Sequence, residues 1–304
     1  MSALRKFFTV IRSTVDAFAD DELLTRAAAL SFYAALSLAP LLLLLVWAVS
    51  IVQPDWIGGV TQMLATVVGE GGAVAINDVL DAVKGRTLSG NVASIISIGI
   101  TVFSATAVFA QLQGTLNRVW RVKPKPGAAI GAWLRARAHA AALLEGLGFL
   151  LVISFVISTA IRSVIHGQGE LWTALGATSG LIVLFVAFCA IYKVLPDALV
   201  DWSDVMLGAA ITSLLLQLGR YVIDFYLERA KVGSAYGSAA GLVVLLTWMY
   251  YSAVVVLTGA SLTRALADAY GKPIRPSMHA VEFLPGEVEV PPDDAHDDRS
   301  SGAP

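Results

Sequence analysis

The sequence predicts an all-α fold: a polytopic membrane protein built as a six-helix transmembrane bundle, with an N-terminal amphipathic helix and short surface helices between the first two crossings. Two observations carry this expectation. Hydrophobic residues make up 57% of the 304-residue chain and charged residues only 14%, against about 25% charged in an average soluble domain. The charges are also missing from long stretches: residues 27–54, 87–117, 171–192 and 232–263 contain none. A hydrocarbon core of about 30 Å needs roughly 20 helical residues. A soluble helix would also interrupt such stretches with a polar face every 3.6 residues.

Residues 1–25 place Leu4, Phe8, Ile11, Val15 and Phe18 at alternating steps of four and three, flanked by Arg5, Lys6 and Arg12. That spacing predicts an amphipathic helix lying in the cytoplasmic interface, its basic residues suited to anionic headgroups. The apolar run behind it is too long for a signal-peptide core. The transmembrane domain is expected over residues 26–270, with crossings at about 28–53, 91–110, 140–161, 172–193, 205–226 and 237–263. Pro40 lies inside the first and is expected to kink it or split it into half-helices. Within residues 54–90, two short apolar stripes, Trp56 to Val67 and Val74 to Val83, predict surface helices. Residues 271–304 hold seven acidic and three basic residues with several prolines, a composition that predicts a disordered acidic tail.

Lysine and arginine placement sets the orientation. Fifteen fall in the N-terminal segment, the connections after crossings two and four, and the C-terminal segment; five fall on the opposite side. The densest group is Arg118, Arg121, Lys123, Lys125, Arg135 and Arg137. Both termini are therefore expected in the cytoplasm, and the basic segment is expected to meet anionic lipid headgroups.

Polar residues inside the crossings are the candidates for function. Ser213, Gln217, Arg220, Asp224 and Glu228 follow at steps of four, three, four and four, so they share one helix face. An ionisable group facing lipid is expensive, so this face is expected to point into the bundle or a wet cavity. The alternative is structural: Arg220 and Asp224 lie about 22 and 28 Å along the helix, at 1.5 Å per residue, deep enough to snorkel to the far interface. Glu145 is a second intramembrane acid, expected to pair with an arginine of the basic segment or to serve a proton or substrate site. Gly233, Gly237 and Gly241 form overlapping small-xxx-small repeats suited to close helix packing. Trp248, Tyr250 and Tyr251 lie too deep for an interfacial belt and are expected to pack in the bundle or line its cavity.

Enzyme chemistry has no foothold in the sequence. His139, His166, His279 and His296 are widely spaced, without a second ligand at metal spacing. There is no phosphate-binding glycine loop and no nucleophile elbow. No enzymatic activity, cofactor, metal or nucleic-acid partner is expected, and a homo-oligomer is left open.

Three segments together resemble the YihY/BrkB family of bacterial inner-membrane proteins: Leu24 to Pro40 (LTRAAALSFYAALSLAP), Leu112 to Trp120 (LQGTLNRVW), and Tyr236 to Tyr250 (YGSAAGLVVLLTWMY) continuing to Gly259 to Arg264 (GASLTR). The resemblance covers about residues 5–270. It implies a polytopic protein of the inner membrane with a poorly defined activity, for which transport has been proposed and whose name reflects resistance to serum killing. The family's former label, ribonuclease BN, is regarded as a misassignment. This sequence argues against it independently, because a nuclease of that type needs clustered His and Asp ligands in a soluble domain. Transport or lipid handling through the polar face of the fifth crossing is the function expected, with a non-transporting envelope scaffold as the alternative.

Overall fold

The computed structural model describes residues 3–52, 58–59, 92–125, 129–164, 170–230, 240–272 and 274–282. Apart from residues 58–59, the expected surface helices lie outside the described residues. So do Gly233, Gly237 and the tail from residue 283 onward.

The described chain is mostly helical. It runs α1 (Ala3–Asp20), α2 (Leu23–Val52), α3 (Val92–Ala105), α4 (Ala107–Val119), α5 (Ala129–Val164), α6 (Glu170–Val194), α7 (Trp202–Ala230) and α8 (Ala240–Ala269). Four of these contain segments long and apolar enough to cross a membrane: Leu23–Leu45, Trp133–Ser154, Trp202–Ile223 and Leu242–Ala269. A shorter apolar segment, Gly180–Val194, belongs to α6. Large hydrophobic side chains such as Phe32, Leu36, Phe149, Leu214 and Leu218 are exposed along these helices. Outward apolar residues are what a lipid-facing surface requires.

Helix α8 is the hub. It packs against α2, α7, α1 and α4, while α6 bridges α7 and α5, and α3 lies on α2. The α7–α8 seam is close because glycines sit at the crossing. A Cβ at Gly208 would collide with the Thr263 hydroxyl, one at Gly259 with the Thr212 hydroxyl, and one at Gly219 with the Tyr251 ring. The threonines at this seam turn their hydroxyls onto their own helix, Thr212 to the Gly208 carbonyl and Thr263 to the Gly259 carbonyl. Tyr192 of α6 closes the same seam: fully buried, it donates to the Val256 carbonyl at 2.7 Å and lies 2.9 Å from Thr212 Oγ1. Small residues that admit close backbones, with polar groups satisfied across helices, are how helices adhere without a hydrophobic driving force.

Three expectations are corrected. Helix α2 runs unbroken through Pro40, so the first crossing is not split into half-helices; Ser37, one turn earlier, ties it to α3 by donating to the Ser104 carbonyl at 2.9 Å. The interruption falls instead in the second apolar segment, at Thr106 between α3 and α4. There the Thr106 hydroxyl contacts the Val102 and Phe103 carbonyls, and Arg137 donates to the Phe103 carbonyl and to Thr106 Oγ1. Helix periodicity assigns the Phe103 carbonyl to the amide of residue 107, so competition for that acceptor explains the break. Finally, the fold carries short strands, and part of the expected tail is ordered. β1 (Val122–Pro124) pairs antiparallel with β4 (Ala280–Glu282), and β2 (Ala198–Leu199) with β3 (Arg275–Pro276). Residues 274–282 thus form a strap across the connections that follow α4 and α6. The Lys125 amide donates to the His279 carbonyl and the Ser277 amide to the Asp197 carbonyl.

Candidate functional site

The connections meet at one end of the bundle, and a polar cluster holds them there. Gln113 and Asn117, four residues apart on α4, share a face. Gln113 Nε2 and Asn117 Nδ2 both donate to Asp197 Oδ2, at 3.3 and 3.0 Å, and the Asp197 amide donates back to Asn117 Oδ1 at 2.9 Å. This reciprocal clasp ties the end of α4 to the turn after α6. Beside it lies a cavity of about 380 Å³ lined by Gln113, Gly114, Asn117, Arg118, Lys123, Trp133 and Asp197, among others.

A second cluster anchors the same end. Trp120 Nε1 donates to the Ala260 carbonyl at 3.1 Å, and Arg264 donates to the Val119 carbonyl at 2.8 Å. Arg264 also lies 3.5 Å from Asp21 and 3.7 Å from Asp268. Burial pushes the Asp21 carboxyl above the ordinary carboxylate value, against the pull of Arg264, Arg121 and Arg118. Both non-glycine residues with positive φ among the described residues are here: Glu22 at 52°, where α1 turns into α2, and Arg121 at 55°, where α4 gives way to β1.

The expected site residues fall in different places. Ser213 is buried and spends its hydroxyl on the Ala209 carbonyl of its own helix. Gln217 and Arg220 are half-buried on the same flank of α7, and the Arg220 guanidinium lies 4.9 Å from the Tyr221 ring centre. Asp224 is in α7, with its side chain outside the described residues, as is that of Glu228. Glu145 is exposed on α5 and makes no ion pair with an arginine among the described residues. The arginine nearest to it in sequence, Arg137, is otherwise engaged, stacking 4.1 Å over the Phe103 ring. Gly241 opens α8, one residue after its start.

The basic segment is divided by the fold. Arg118 and Lys123 line the cavity, Lys125 takes part in the strap through its backbone, and Arg137 is a tertiary contact of α5 with α3. Trp248 is buried and Tyr251 donates to the Leu215 carbonyl at 2.6 Å, whereas Tyr250 stays partly exposed. Asp197, Gln113 and Asn117 are not among the functional residues expected from the sequence. The available signal was a pair of amides at i and i+4 in an uncharged helix, each needing a partner if buried.

These features define a polytopic helical membrane protein with a polar cavity where its connections converge. The comparisons with known proteins are narrower. The chain matches the family described as Virulence factor BrkB over residues 14–282, and it belongs to that family. It is similar to a UPF0761 membrane protein of Alcanivorax borkumensis, 30% identical over 217 residues, covering 68% of this chain and 49% of the relative. A UPF0761 membrane protein of Xanthomonas axonopodis pv. citri is 26% identical over 287 residues, covering 90% of this chain and 62% of the relative. The chain therefore spans about half to three-fifths of the length of these relatives. No solved structure matches it.

Proposed function

We propose that this is a six-crossing protein of the bacterial inner membrane that handles lipid or another amphiphile of the envelope, engaging it at the cavity beside Asp197. The observation that carries the reading is that cavity, with both charge signs on its walls and a half-buried carboxylate clasped by two amides. Contacts among Asp21, Arg264, Asn117, Asp197 and the strap draw the start of α2 and the ends of α4, α6 and α8 to one end. That arrangement supports an even number of crossings, six if α3 with α4 and α6 each count as one. The lysine and arginine bias supports a cytoplasmic location for this end, and the exposed Phe8, Ile11 and Val15 of α1 support its lying in the interface.

The polar flank of α7, with Gln217 and Arg220, then belongs to the path between the cavity and the opposite leaflet. The scaffold reading is favoured by one observation, the exposed Arg118 beside Lys123 at a surface suited to anionic lipid. Reconstitution into vesicles containing fluorescent phospholipid separates the two. Handling predicts protein-dependent redistribution of the probe between leaflets, weakened by Asp197→Asn and by Arg220→Ala. Vesicle binding with no redistribution by the wild-type protein would favour the scaffold.

A further inference from the structure

We propose that the cavity between α4, β1 and α5 is a binding site for a zwitterionic head group, a primary ammonium joined to a phosphate; this gives the lipid-handling reading a ligand class and rests on it. Gln113 is only 3% exposed and lines the cavity. Its amide orientation is determined by its neighbour. An ionised carboxylate only accepts hydrogen bonds, so the nitrogen faces Asp197, as observed, and the oxygen faces away. That oxygen, Oε1, is enclosed and accepts no hydrogen bond from the described residues. An enclosed acceptor without a donor is costly, and a small rotation of the Gln113 side chain toward the cavity would let a ligand donor relieve that cost.

The rest of the wall narrows the ligand. Asp197 uses Oδ2 for both amides, and a carboxylate has about four acceptor positions, so the inner wall offers acceptors and one negative charge. Arg118 and Lys123 bring positive charge to the same cavity, and cations of this kind are ordinary partners of phosphate. An ammonium group carries three donors and no acceptor, which fits the Gln113 and Asp197 side. A plain anion would bring only further acceptors to that side. A trimethylated ammonium would bring charge without any donor. Trp133 adds an aromatic wall at the start of an apolar segment, the level at which tryptophan meets head groups. Gly114 leaves the space open, since a Cβ there would meet nothing within 4 Å. The volume, about 380 Å³, lies in the range of small-molecule sites.

The test uses the full chain, delipidated in detergent, with phosphatidylethanolamine, phosphatidylcholine or phosphatidylglycerol in mixed micelles, and with soluble O-phosphoethanolamine. Affinity is read from Trp fluorescence and from the shift in melting temperature. Phosphatidylethanolamine is expected to bind about tenfold or more tightly than the other two lipids. Gln113→Leu should abolish that preference. Gly114→Leu should abolish it too by filling the cavity, with the unliganded melting temperature kept, so loss of binding is distinguished from misfolding. Equal affinity for the three lipids, or an undiminished preference in Gly114→Leu, would overturn the proposal. Soluble phosphoethanolamine binding as tightly as the lipid would uphold the site's chemistry and assign it to a soluble ligand. Ethanolamine-lipid binding without any redistribution in vesicles would uphold the site and remove the handling role.

Discussion

At the scale of single residues, the end of the molecule where α1, α2, α4 and α8 meet is the most informative. Glu22 holds a left-handed backbone at φ 52° with its side chain exposed. This conformation costs an L-residue roughly 1 kcal/mol and glycine almost nothing. Glu22→Gly is expected to raise stability by up to about 1 kcal/mol, seen as a higher melting temperature in detergent. Asp21 next to it titrates in the opposite sense to a typical ion-paired carboxylate. Its burial outweighs the attraction of Arg264, Arg121 and Arg118, so its pKa is raised above 3.8. The folded chain therefore holds this proton more tightly than the unfolded chain, and stability falls as pH rises from 3.8 through the folded value. In Asp21→Asn that component of the slope should vanish. Melting curves of the two proteins across this acidic range should converge on the low-pH side and separate above it; parallel curves would refute the assignment.

At the scale of elements, glycines that look equivalent in the sequence separate into opposite classes. Gly259 meets Thr212 and Tyr192 across the α7–α8 seam, whereas Gly114 on α4 faces open space. Gly259→Ala is expected to destabilise by about 1–3 kcal/mol through overpacking. Gly114→Ala is expected to stabilise by roughly 0.8–1 kcal/mol through helix propensity alone. Thermal melting of both proteins under one detergent condition checks the signs. Neither outcome was legible in the small-xxx-small repeats of the sequence, because a repeat states where backbones can approach and leaves the partner unspecified. Pro40 teaches the same lesson in reverse. A proline removes one backbone donor, yet α2 continues through it, while the uninterrupted apolar stretch around Thr106 breaks under competition from Arg137.

At the scale of the whole molecule, the strap of residues 274–282 joins the connections after α4 and α6. Truncation after Glu282 keeps its bonds; truncation after Tyr270 removes them, at about 1 kcal/mol for each net hydrogen bond lost. The shorter protein is expected to melt lower and to be cut faster by protease near Asp197. Orientation is checked by Met278→Cys, at a position 78% exposed, in a Cys189→Ala background. A membrane-impermeant thiol reagent should label it in inverted vesicles and leave it unlabelled in intact cells. Membrane residence and helical class were set by the sequence alone, since long charge-free runs are stable in lipid as helices that satisfy their own backbone bonds. The polar stripe of α7 was visible for the same reason, as a helical period. The Gln113–Asn117–Asp197 clasp was decided only by tertiary structure. Its members are 80 and 84 residues apart, and no local period connects an amide pair on one helix with an acid in a turn. Their meeting depends on tertiary packing such as that of the Trp120 and Tyr192 rings, 6.1 Å apart between the end of α4 and α6, where shape rather than pattern selects the partner.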